Sequence, residues 1–320
     1  MTVTEPRTRI EPSGPAPGAG KPRRTARPDR AAWVFLAPFL AVFAFVFVLP
    51  VGYAVYQSML KVDRHGPLGL GEPTIGFAGL DNYVLALGQT DFIESFGRVL
   101  LFGIVQVPLM VLLATVLAFL LEQVKDRWAG LLRATYFLPY GVPGVIATIL
   151  WGFLYVPGVS PVSDLLDSVG LAPDFLGYDS VLWSIANIVV WQFAGYNMLI
   201  VIAQLKSIPN ELTEAARIDG AGPWQIALRV KLPLVRPSLV LITVFSIIGT
   251  LQLFAEPLVL KPLTSAVSFN YTPNLSAYTD AFANSNLYLA AAKSVILAVV
   301  ASALSFGFLS LVTRRGGDDR

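Results

Sequence analysis

The chain has 320 residues, 55% of them hydrophobic and 14% charged, with a formal net charge of +2. Soluble domains carry about 25% charged residues, so this composition points to a membrane protein. There is no cysteine, and His65 is the single histidine. That excludes disulfides, thiol chemistry, a histidine-based metal centre and a histidine triad.

Residues 1–30 are rich in Pro, Gly, Ala and Arg and lack apolar periodicity. They are expected to be a disordered basic cytoplasmic tail. The polar lead and the long apolar run after it do not fit a cleaved signal peptide. Six apolar stretches follow, at 31–56, 99–121, 135–155, 181–205, 238–260 and 287–312. Each has roughly the 20 residues needed to cross a hydrocarbon core of about 30 Å. The expected fold is therefore an all-α integral membrane protein with six transmembrane helices. Residues 31–313 would form the membrane domain and 314–320 a short cytoplasmic tail.

Two spans carry features that a plain helix would not need. The third holds Pro139, Gly141, Pro143 and Gly144, which fit either an ordinary kink or a hinge in a cavity wall. The sixth carries Lys293 close to its outer end, where a long stem is expected to snorkel to the headgroups.

Loop charges orient the chain. With the N-terminus in the cytoplasm, 18 of the 23 Lys and Arg residues fall on the inner side. The loop at 156–180 has no basic residue but contains Asp164, Asp167, Asp174 and Asp179. This asymmetry puts both termini inside.

The inner loop at about 206–236, between spans four and five, is the most informative segment. It reads Glu214-Ala215-Ala216-Arg217-Ile218-Asp219-Gly220-Ala221-Gly222-Pro223-Trp224 and runs on to Val230-Lys231-Leu232-Pro233. Pro209 suits the first turn of a short helix, and Gly220 suits a left-handed cap that ends it. Pro223 can start a second helix, and Pro233 is expected to break the chain before span five. Leu212, Ala215, Ala216, Ile218 and Trp224 give the pair an apolar surface that needs a protein cover.

At these residues the sequence resembles the permease subunits of binding-protein-dependent ABC importers. The family pattern is EAA, three residues, Gly, nine residues, Ile, any residue, Leu-Pro. It is matched by Glu214-Ala215-Ala216, Gly220 and Leu232-Pro233, with Val230 in place of Ile. The run Asp219-Gly220-Ala221-Gly222-Pro223 resembles the carbohydrate-uptake, maltose-type branch. So do Ala37-Pro38 and Leu49-Pro50 in the first span and Leu138-Pro139-Tyr140 in the third. The resemblance implies that the loop is a coupling element docking on an ATPase. Glu214 would pair with a basic residue there, Gly220 would set the turn, and Ala215 and Ala216 would permit close approach. It implies as partners two ATP-binding subunits, which hold ATP and magnesium, a second homologous permease and an external substrate-binding (lipo)protein. The site would be a bacterial cell membrane, with the chain binding no cofactor, metal or nucleic acid itself.

Nothing else in the sequence supports catalysis. The nearest phosphate-loop approach, Gly18-Ala19-Gly20-Lys21, is followed by Pro22 where Ser or Thr is required. No carboxylate pair or serine elbow lies in a catalytic context. The chain is read as a transporter subunit and not an enzyme.

Polar groups inside spans are costly and mark cavities or interhelical contacts. Span four offers Trp191, Gln192, Tyr196 and Asn197, and span five offers Gln252. Aromatic faces can stack on sugar rings and amides can bind hydroxyls, although packing between helices would use the same groups. Glu256, near the outer end of span five, has an interfacial reading. No Lys or Arg cluster lies at midplane, which favours a neutral sugar over an anion such as glycerol-phosphate. An ion-coupled secondary transporter is the rival from another class; it would want buried ionisable relays and no coupling loop.

The charge pattern makes a direct prediction. A single cysteine at Asp167 should react with an impermeant thiol reagent added outside intact cells. One at Lys125 should react only after permeabilisation, and the reverse pattern would invert the topology.

Overall fold

The computed structural model describes residues 30–64, 72–171 and 173–315. Residues 1–29 of the expected 1–30 tail, the Gly18–Lys21 run, His65 and residues 316–320 lie outside them. The chain divides into two units, 1–50 and 51–320. In the first, a helix starts at Arg30 and tightens into a π turn at Ala44–Val48. Phe39, Phe43 and Phe47 stack along it at 6.0 and 5.4 Å, the contact that i, i+4 spacing dictates. Every side chain from Trp33 to Pro50 is exposed, as expected of a helix whose surface is apolar all round.

The second unit is helical apart from one hairpin, an exception to the all-α expectation among the described residues. β1 (Leu60–Arg64) pairs antiparallel with β2 (Pro73–Phe77), with Val62 opposite Ile75. Asn82 fixes the hairpin base by donating to the carbonyls of Ser58 and Leu60, at 2.8 and 2.7 Å. With α1 as the helix Trp33–Ser58, the later helices are α2 (Asp81–Gly88), α3 (Thr90–Glu122), α4 (Asp126–Phe137), α5 (Gly144–Tyr155), α6 (Pro161–Ser168) and α7 (Val181–Lys206). Then come α8 (Asn210–Ile218), α9 (Pro223–Leu234), α10 (Arg236–Leu251), α11 (Ala255–Leu260), α12 (Pro273–Phe282) and α13 (Leu287–Arg315).

Four helices, α1, α3, α7 and α13, are long and apolar enough to cross a membrane. Two bent pairs raise the number to as many as six: the α4 and α5 segments at 94° and α9 with α10 at 65°. The third apolar stretch is thus no uniform helix. A 3-10 turn at Leu138–Gly141 precedes Val142 in extended geometry, and Pro143 caps α5. The fifth also differs from expectation. α10 stops at Leu251, Phe254 leaves helical geometry, and α11 restarts at Ala255.

α3 packs along α7, α10 lies against α3 and α13, and α12 folds back on α13. Two apolar clusters share these helices. One holds Phe102 of α3, Ile185 and Ile188 of α7 and Leu253, all buried. The other holds Ala114 and Ala118 of α3, Met198 and Val201 of α7 and Ile242 of α10. Between them the polar Gln106 and Asn197 interrupt the apolar faces of α3 and α7.

Lys293 does not snorkel. It is 1% exposed, pairs with Asp280 at 2.5 Å, donates to Ser276 at 2.8 Å and lies 4.9 Å from the Phe92 ring centroid. Its position near a span end was legible, but the carboxylate that captures it comes from α12, which folds over α13. Arg98 is similarly engaged, donating to the Tyr271 carbonyl at 2.8 Å and lying over its ring. Burial pushes the Tyr271 phenol up to about 12, against the opposing pull of Arg98, so the hydroxyl stays neutral.

α7 and α4 touch through their backbones. A Cβ added at Gly195 would lie 1.8 Å from the Tyr136 carbonyl oxygen, whereas one at Gly97 would meet open space. Gly195→Ala should therefore cost at least the roughly 1–3 kcal/mol of ordinary overpacking. It should appear as a lower melting temperature in detergent, with Gly97→Ala close to wild type. Lys293→Ala strands the Asp280 carboxylate and should cost about 3–5 kcal/mol. The same thermal measurement on Lys293→Met/Asp280→Leu should recover most of that loss.

Candidate functional site

Between the two apolar clusters lies a cavity of 820 Å³. Gln106 and Met110 of α3, Phe193, Tyr196 and Asn197 of α7, and Phe245, Ser246 and Thr250 of α10 form three of its walls. Tyr140, at the 94° bend, closes another side by stacking on Tyr196 with ring centroids 4.6 Å apart and planes 14° off parallel. The Gly195–Tyr136 contact brings α7 close enough to the α4 end for that stack. Thr250 donates to Gln106 Oε1 at 3.2 Å, tying α10 to α3 within the wall. The lining thus combines aromatic faces with amides and hydroxyls, and it contains no Lys, Arg or His.

Backbone breaks complete the cavity. The end of α10 frees the carbonyls of Gln252 and Leu253. Asn274 donates to the first at 3.3 Å and Thr272 to the second at 2.9 Å. Gln252 and Asn274 therefore both reach the cavity, and Glu256 joins them from the first turn of α11. Glu256 is 9% exposed, so the interfacial reading of it is corrected. The restart of the chain at Ala255 turns it inward, a change of direction that an unbroken span five would not make.

Of the residues singled out in the sequence, Tyr196, Asn197 and Gln252 are brought together on this cavity. Trp191 and Gln192 are not among its lining residues. Trp191 meets Trp151 edge-on at 5.8 Å. Gln192 donates to the Val142 carbonyl at 2.9 Å, satisfying the group freed by the break before Pro143. Sequence reasoning missed Gln106, Tyr140 and Asn274. Gln106 carried a usable signal, a lone amide within an apolar stretch. Asn274 carried none, because it lies outside every apolar stretch. Among the described residues no group of three Asp, Glu or His side chains could hold a metal ion.

The loop at 206–236 has the geometry its residues dictate. α8 begins after Pro209 and ends in a Schellman motif: Gly220 N–H donates to Arg217 O at 3.0 Å and Ala221 N–H to Ala216 O at 2.9 Å. Gly220 takes φ +83°, the left-handed conformation that disfavours a side chain. Pro223 opens α9, and Gly222 N–H donates to the Gln225 side chain at 2.9 Å. The chain does break before span five, at Val235, two residues past Pro233, where the axis bends by 65°; Pro233 itself sits in a last helical turn that follows a π turn at Ile226–Lys231.

Ile218 and Trp224 are 87% and 74% exposed, and Leu212, Glu214, Ala215, Asp219, Pro223 and Pro233 are also exposed. Ala216, Gly222 and Leu232 are half-buried. Ile226 is buried beneath the pair. Lys231 anchors the loop to the end of α3 through a 2.5 Å ion pair with Glu122.

The chain is similar over most of its length to known proteins. The family model described as "Binding-protein-dependent transport system inner membrane component" matches residues 110–317. The lactose transport system permease protein LacF of Rhizobium radiobacter is 32% identical, over 87% of this chain and 92% of its own length. The sn-glycerol-3-phosphate transport system permease protein UgpA of Pectobacterium atrosepticum is 29% identical, over 89% and 96%. A solved bacterial ABC transporter for import of the acidic polysaccharide alginate shares the fold, with a TM-score of 0.74 at 20% identity, covering 89% of this chain and 95% of that one. With most of its length matched by both a family model and a full-length relative, the chain belongs to the inner membrane components of binding-protein-dependent ABC transport systems.

Proposed function

We propose that this chain is one permease half of an ATP-driven importer that takes a sugar, handed over by an external binding protein, into the cytoplasm. The observation that carries the reading is the cavity between α3, α7 and α10. It sets a stacked tyrosine pair beside four amides, Gln106, Asn197, Gln252 and Asn274. Such walls suit a ring with many hydroxyls. Relatives are named for lactose, for starch degradation products and for sn-glycerol-3-phosphate. Charge is what separates the last from the others, and a lining without Lys, Arg or His favours the neutral solutes.

On this reading the chain crosses the membrane six times, with each bent pair counted as one span and both termini in the cytoplasm. Residues 31–313 form the membrane domain. The loop at 206–236 is the cytoplasmic coupling element, docking on an ATP-binding subunit through Ile218, Trp224, Ala215 and Glu214. The complete transporter has two such subunits, which bind and hydrolyse ATP with magnesium, and a second homologous permease. The exposed apolar face on a polar two-helix loop supports this docking, since such a face needs a protein cover.

Two substitutions test the coupling role. Gly220→Val places a branched side chain at φ +83° and should redirect α9. Glu214→Lys puts a positive charge where a basic partner is expected. Each should lower sugar uptake at least tenfold, either by releasing the ATPase or by leaving hydrolysis unlinked to transport. Uptake and co-purification of the ATPase are measured together in each mutant. Normal values of both in both mutants would refute the coupling role.

A further inference from the structure

Glu256 is a carboxylate in the cavity wall with 9% of its surface exposed. Among the described residues no cation pairs with it. The cations of the neighbouring elements have other partners. Arg98 is held by the Tyr271 carbonyl and ring, Lys261 by the Phe269 ring, and Lys293 by Asp280 and Ser276. A carboxylate withdrawn from water without a counter-ion is costly unless donors satisfy it. The cavity lining offers amides and hydroxyls but no positive charge, which leaves the carboxylate open to the hydroxyls of a solute.

We infer that Glu256 is the charge filter of this cavity: its carboxylate accepts hydrogen bonds from the hydroxyls of a neutral sugar and excludes anionic substrates. The inference rests on reading the cavity as the sugar site. Hydroxyl-to-carboxylate hydrogen bonds are shorter and stronger than those between neutral groups, so a polyol gains from the charge. A phosphate or uronate in the same space meets uncompensated like charge in a setting of low polarity, where repulsion is weakly screened. The cavity therefore selects on charge through one residue, with the aromatic pair and the amides fixing the ring.

Glucose and glucuronate make a matched pair of probes, because they differ at one carbon only; lactose is a second neutral probe. Binding is measured by saturation-transfer NMR on the whole transporter in lipid nanodiscs, with the external binding protein left out so that it cannot preselect. The wild type should bind glucose or lactose at least tenfold more tightly than glucuronate. Glu256→Gln should weaken neutral-sugar binding several-fold and bring the glucose-to-glucuronate ratio close to one, and Glu256→Asp should restore discrimination. Tyr196→Ala serves as the control for the cavity itself. If Tyr196→Ala abolishes neutral-sugar binding while Glu256→Gln leaves the ratio unchanged, the cavity reading stands and the charge filter is overturned. If neither substitution alters binding, or if no neutral probe binds the wild type, the cavity is not the sugar site and the inference falls with it. Equal or tighter glucuronate binding in the wild type would also overturn it.

Discussion

The structure depends on backbone carbonyls that are freed inside apolar surroundings and must still be satisfied. A spanning helix bonds its own backbone, and any break leaves groups that cost several kcal/mol each where water is absent. This chain breaks at Val142–Pro143 and again at Gln252–Phe254. At each break an amide or hydroxyl from another element takes over: Gln192 at Val142, Asn274 at Gln252 and Thr272 at Leu253. Those repairs fix which way the chain leaves the break. The first leaves Tyr140 against Tyr196, and the second turns Gln252 and Glu256 onto the same cavity. The cavity is thus a product of two repaired breaks on an otherwise close-packed α3–α7 pair.

This explains why the sequence was legible in some places and not in others. Long apolar stretches such as 99–121 and 181–205 announced α3 and α7, because uniform hydropathy over that length has few other solutions. The loop was legible because Gly220, Pro223 and the residues around them specify local geometry within a few positions. The breaks were harder. Pro143 and Gly144 showed that the third stretch was interrupted, but not that the axis would turn by 94°. Span five held Pro257, which has no N–H to offer the Leu253 carbonyl, but that residue alone did not show that the helix would already stop at Leu251. Its break is set by Thr272 and Asn274, some twenty residues further on.

The same limit governed individual side chains. Gln192 and Gln252 are both amides within apolar stretches and look alike in sequence. In the fold Gln192 is consumed by repairing a break, whereas Gln252 keeps its side chain at the cavity and offers its carbonyl for repair instead. Lys293 and Glu256 are both charges near span ends, and both were open to an interfacial reading. Lys293 is neutralised by Asp280 once α12 folds back, and Glu256 meets no such partner. What separates the members of each pair is a contact supplied from a distant segment, which no local spacing encodes.

A further consequence concerns how the loop and the cavity communicate on the proposed reading. α3 is common to both: Gln106 and Met110 line the cavity, and Glu122 at its far end pairs with Lys231 of the loop. α10 is common too, since it continues from the loop at the Val235 bend and ends at the Gln252 break. Thr250 and Gln106 join the two helices inside the wall. A displacement of the loop therefore acts on two cavity walls that are tied together at both levels. Close-packed helices tied in this way respond by shifting between discrete packings rather than by bending. The weakest point in that frame is the 65° bend at Val235, where a single non-helical residue separates α9 from α10. Motion of the loop reaches α3 both through the Glu122–Lys231 pair and through Leu232 and Val235, which pack in one apolar cluster with Ala118 and Leu121.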